Sequence, residues 1–173
     1  TTGAGAVGGA ISIGAVNNVA GTQFLDAISI DSGAAGADGI IRLNGNIAVD
    51  PQAAIDAITL EGDDVRLTGA VDTVFTFDTN NGAATQAGNV NLALAEISAT
   101  NVGIDLAINT ASTADGLAGT VALGLFDGTG GGSFINNLTV TSTDGTGVGG
   151  ALTLHNNISL DFATDAGDFI YDS

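Results

Sequence analysis

The sequence predicts an all-β chain, wound as a parallel β-helix of about six rungs with three short strands in each. Three observations lead there. Apolar residues recur in triplets that alternate with a polar or small residue, the period-2 signature of strands with one face buried. The phrase DAISID, Asp26 to Asp31, returns as DAITLE, Asp56 to Glu61, at an offset of 30. Composition opposes helices: 27 Gly, 1 Pro, no Lys and only Glu61 and Glu96, with Asn, Asp and Thr abundant.

The strands follow in order. A first series is Ile11–Ile13, Ile41–Leu43, Val65–Leu67, Val90–Leu92, Val121–Leu123 and Leu152–Leu154, its first members separated by 30, 24, 25, 31 and 31. A second lies between them at Ile28–Ile30, Ile58–Leu60, Phe75–Phe77, Ile104–Leu106, Leu138–Val140 and Phe169–Tyr171. A weaker third follows each member of the first after a tight turn: Ala15-Val16, Asn46-Ile47, Ala70-Val71, Glu96-Ile97, Leu125-Phe126 and Asn157-Ile158. A sandwich or up-and-down barrel also uses many short strands. Neither needs a whole phrase repeated at a fixed offset. Stacked coils do, because equal positions lie over one another roughly 4.8 Å apart. Gly and Asn then suit the corners, Asn17, Asn18, Asn156 and Asn157 are candidates for an amide ladder, and Asp127 to Ser133 reads as a corner insertion.

The phrases GGAISIGAVNN, GIIRLNGNIAV, DAITLEGDDVRLTGAV and GGALTLHNNISL resemble the repeats of filamentous-haemagglutinin-like bacterial exoproteins. The resemblance covers essentially the whole chain. It implies a secreted or cell-surface β-solenoid with adhesive or fibrous duty, and host or matrix glycans as candidate partners. That family's secretion domain is not recognisable here, nor is a signal peptide, so a mature product or an excised fragment is expected.

The ends of the chain carry one phrase. VGGAISI opens at Val7 and VGGALTL at Val148. From Leu152 to Ser173 and on through Thr1 to Ile11 makes a step of 32, close to the two preceding steps of 31. Residues 1–173 therefore read as a single module, one period of a tandem array or a unit that stacks end to end with its own copies. No amphipathic capping helix is evident at either end, and uncapped ends expose strand edges that template further pairing.

Charge narrows the function classes. Nineteen acids against two Arg give a net charge of −17, which repels nucleic acid and anionic lipid. The longest uncharged stretch is dense in Gly and Asn and makes a poor membrane helix. Without Cys, thiolate metal sites and Cys nucleophiles are excluded. His155, the one His, belongs to no Ser-His-Asp spacing. No enzyme is expected. The alternatives are a β-helical carbohydrate-active enzyme, which needs clustered acids beside aromatics, and a calcium-dependent binding module.

Strand ends carry Asp31, Glu61, Asp78 and Asp172. This partly acidic column would repel itself unless protonated or bound to a cation, and calcium suits oxygen ligands. No cofactor is otherwise required. Arg42 and Arg66 fall on equivalent strand positions, with Glu61, Asp63 and Asp64 near enough to neutralise them. Asn137 and Asn157 head glycosylation triplets, and Thr139, Thr141 and Thr153 raise an ice-binding face that the irregular outward positions argue against.

Overall fold

The computed structural model describes residues 8–17, 25–33, 39–51, 55–80, 86–113, 117–127, 133–160 and 167–173. Their twelve strands are β1 Ile11–Ile13, β2 Ile28–Asp31, β3 Ile40–Leu43, β4 Ile47–Ala48, β5 Asp56–Leu67, β6 Val74–Asp78, β7 Asn89–Ala99, β8 Asp105–Asn109, β9 Val121–Phe126, β10 Leu138–Thr141, β11 Leu152–Leu154 and β12 Phe169–Asp172. All pairings between these strands are parallel. One sheet runs β1-β3-β5-β7-β9-β11, with β2 beside β5, and the other runs β4-β6-β8-β10-β12. The chain is a β-solenoid, as the sequence predicts. Five strands in the second sheet span four full turns, and the Val16–Ile47 bridge begins another. The coil is thus about four regular turns, slightly fewer than the six rungs expected.

Each turn passes three positions, which we call faces. Face one holds Ile11, Ile41, Val65, Ile97, Phe126 and Ile158. Face two holds Ile28, Ile58, Val90, Val121 and Leu152. Face three holds Val16, Ile47, Phe77, Ile108, Val140 and Tyr171, a nearly constant period along the chain.

These registers correct the first sequence series. Ile11, Ile41 and Val65 stack on face one, whereas Val90, Val121 and Leu152 stack on face two. The step from Val65 to Val90 crosses this switch. The cause is β5 and β7, 12 and 11 residues long, which serve faces two and one without a break. Register shifts flank Gly62, and such bulges bend a strand around a corner. The second series switches likewise, from face two at Ile28 and Ile58 to face three from Phe75 on, and the third from face three at Val16 and Ile47 to face one from Ile97 on. Two single assignments also change. Phe75 stacks on Leu106, two positions past Ile104. Ala70-Val71 is a turn rather than a strand, with Val71 exposed and Asp72 at φ 61°.

Alternation sends every second strand residue into one continuous apolar core from Ile41 to Leu160. Corners have their own repeated device. Thr79, Thr110 and Ser142 are buried hydroxyls that follow the end of a face-three strand. Thr79 Oγ1 donates to the Gly88 carbonyl at 2.8 Å, Thr110 Oγ1 to Gly119 at 2.9 Å, and Ser142 Oγ to Gly119 at 2.6 Å. Each also accepts at its own carbonyl from the glycine across the loop, Gly88, Gly119 or Gly150. The hydroxyls close the loop necks and satisfy carbonyls that burial would otherwise leave costly.

Candidate functional site

The acidic column expected from Asp31, Glu61, Asp78 and Asp172 divides between two faces. Asp31 pairs with Glu61 on face two. Asp78 and Asp172 belong to face three, in the line Asp78–Asn109–Thr141–Asp172. Two of these acids have structural duties. Asp31 Oδ1 accepts from the Gly33 N–H at 2.6 Å, and Asp78 Oδ1 from the Asn80 N–H at 3.0 Å. Both are Asx-type turns that start the corner. Among the described residues, no group of three His, Asp or Glu is arranged to hold a metal.

Asp50 carries a stronger electrostatic signal, which the strand pattern did not flag. It is buried and its N–H donates to the Leu25 carbonyl at 3.0 Å. Burial first, then the Asp78 and Asp26 carboxylates, raises its pKa above the ordinary value. Burial likewise raises Asp78, while hydrogen bonds from the Asn80 backbone and the Asn109 side chain pull it down.

Arg42 and Arg66 do stack, and Ser98 follows them in register. Asp64 is the neutralising acid. One carboxylate oxygen takes the Arg66 guanidinium and the other accepts from Ser98 Oγ at 2.6 Å. This locks β5 to β7 as a structural cluster. His155 is exposed, its N–H donating to the Leu123 carbonyl. Asn137 holds Asp105 through Nδ2 and accepts from the Asp168 N–H, so its amide already ties turns together. Asn156 and Asn157 are exposed, the Asn157 N–H donating to Asn156 Oδ1 and the Asn157 carbonyl accepting from the Phe126 N–H on the turn before. Asn17 lies at the opposite end, and Asn18 falls outside the described residues, as do residues 128–132 of the expected insertion. A shallow groove of 260 Å³ lies beside the Gly62 bulge, with Asp63 and Glu96 on its wall and Leu94 at its rim. None of its lining residues is aromatic, so sugar stacking has no platform there.

The ends offer the clearest surface. One column reads Phe75, Leu106, Leu138 and Phe169, exposed by 2%, 1%, 0% and 41%. Its neighbour reads Phe77, Ile108, Val140 and Tyr171, at 0%, 1%, 0% and 39%. On face two, Leu123 is fully buried and the Leu154 above it is 51% exposed. The last turn therefore presents outward the side chains that earlier turns bury. Among the described residues, β11 pairs only with β9 and β12 only with β10, leaving their outer edges open. At the other end, β1 pairs only with β3 and β2 only with β5, with Ile13, Val16, Ile28 and Ile30 partly buried. No family model, curated protein or solved structure matches the chain. Among the described residues, no helix is long and apolar enough to cross a membrane.

The matching phrases at the two ends need a different explanation from the one their spacing suggests. Gly9 precedes β1 on face one, and Gly150 precedes β11 on face two. The same Gly-apolar-polar-apolar grammar serves two corners of one coil.

Proposed function

We propose that the chain is a structural module that builds or extends an extracellular fibre on a bacterial cell surface by end-to-end stacking of its coils. The observation that carries this reading is the exposure of Phe169, Tyr171 and Leu154 in columns that are otherwise closed. A second copy seated there would bury them, at about 25 cal/mol per Å² of apolar area removed from water. It would also pair the open edge of β12. A head-to-tail contact of this kind does not close on itself, so it produces filaments. The surface location is supported by the repeat resemblance and by the lack of Cys. An adhesive role toward matrix or host glycans would fall to the outward faces along the shaft.

Stacking needs no covalent tandem array. The join of Ser173 to Thr1 gains no support from the shared phrase, since its two occurrences sit on different faces.

The test is negative-stain microscopy with sedimentation over a concentration series. Face one has six stations from Ile11 to Ile158. Filaments are expected with an axial repeat of roughly 29 Å, six times the strand spacing. A chain that remains monomeric at millimolar concentration would overturn the reading.

A further inference from the structure

Neighbouring turns are tied by amide-to-carboxylate hydrogen bonds that all run in one direction. Asn89 Nδ2 donates to Asp56 Oδ1 at 3.2 Å, Asn109 Nδ2 to Asp78 Oδ1 at 3.3 Å, and Asn136 and Asn137 Nδ2 to Asp105 Oδ1 at 3.1 and 3.0 Å. In each case the amide is on the later turn and the carboxylate on the turn before it.

The Asp78–Asn109 pair belongs to a column that reaches both ends. Asp78 pairs with Ala48 on one side and Asn109 on the other, then come Thr141 and Asp172. Val16 bridges Ile47, so the next residue, Asn17, stands at the station before Ala48. The column reads Asn17, Ala48, Asp78, Asn109, Thr141, Asp172. It begins on an exposed amide and ends on an exposed carboxylate.

We propose that Asn17 of one copy hydrogen-bonds Asp172 of the copy before it, and that this pair sets the polarity and register of stacking. The inference rests on the end-to-end reading above. A copy laid on β12 in continued register brings its Val16 over Tyr171 and its Asn17 over Asp172. The contact repeats the Asp78–Asn109 rung, with the same residue types in the same order. Reversed assembly is disfavoured by the same column. Two C-terminal ends face to face would bring two Asp172 carboxylates to one interface with no Asn17 amide to receive either, and like charges brought together cost energy.

The chain has no Cys, so cross-linking can be read cleanly. Rung neighbours lie roughly 4.8 Å apart, within the span of about 4.4–6.8 Å that a disulfide bridges. Asn17→Cys protein mixed with Asp172→Cys protein under oxidation should give mainly the mixed dimer. Predominance of either same-variant dimer, or no mixed dimer from assembling protein, overturns the proposal. A charge exchange provides the second readout. Asn17→Asp should abolish filaments near neutral pH, and Asn17→Asp with Asp172→Asn should restore them, with unchanged circular dichroism throughout. If Asn17→Asp assembles as well as the parent while Phe169→Asp does not, the stacking stands and the register falls. If the parent protein never assembles, the stacking reading fails and takes the register with it.

Discussion

A Cβ added to Gly150 would stand 2.0 Å from the carbonyl oxygen of Gly119, and one added to Gly119 would stand 2.0 Å from that of Gly88. Successive turns approach here backbone to backbone, with no room for a side chain. Gly119→Ala should therefore destabilise the coil by about 1–3 kcal/mol, the usual cost of overpacking. Gly9→Ala is the control, because nothing lies within 4 Å of its added Cβ. Urea midpoints compare the two. Equal midpoints would mean that the turns can separate at this corner without cost.

The Arg66–Asp64–Ser98 cluster predicts strong coupling. Asp64→Leu removes the carboxylate that bonds the largely buried Arg66 guanidinium and should cost about 3–5 kcal/mol. Adding Arg66→Met should recover much of that loss, since breaking a buried pair is worse than replacing it. A double-mutant cycle by chemical denaturation measures the coupling. Strictly additive losses would show that the pair is energetically independent.

Asp50 predicts an unusual pH dependence. Its folded pKa is raised above the reference value of 3.8, so the folded state holds the proton more tightly than the unfolded chain. The stability contributed by this group is complete below the unfolded value and is lost as pH rises through the folded one. The protein should thus be more stable at about pH 4 than at about pH 7. Asp50→Asn should raise the neutral-pH stability and reduce the difference. General repulsion among the other acids survives in that variant, so the reduction isolates Asp50. An unaltered pH profile in Asp50→Asn would refute the assignment.

Calcium should leave the coil unchanged. The four strand-end acids occupy two faces, and Asp31 and Asp78 are committed to backbone N–H groups. The melting temperature is expected to agree in chelator and in millimolar calcium. A rise of several degrees would restore the cation-binding reading of Asp31, Glu61, Asp78 and Asp172.

Period-2 triplets and the DAISID–DAITLE match made the solenoid legible, because both report the stacking of Ile28–Asp31 on Ile58–Glu61. Register was less legible. Gly39 before Ile41 and Gly119 before Val121 sit in similar phrases, yet they open faces one and two respectively. Apolar alternation reports which way a side chain points and carries no mark of the face it occupies. The strand-end acids were visible as a type, but the spacing of Glu61 and Asp78 could not show that a corner and a whole face separate them. The particular exposure of Phe169 and Tyr171 requires knowing that nothing in the described chain follows them on that face.

Among the described residues, every strand finds its partner one turn away, as Phe77 finds Ile108. Folding therefore needs no strand pairing beyond the adjacent turn. A first turn can serve as the template for the second, and each later turn is laid on an edge already formed. A polypeptide emerging from a narrow channel could be wound into its final shape as it appears, turn by turn. The pairing gained at each turn would act as a ratchet against sliding back.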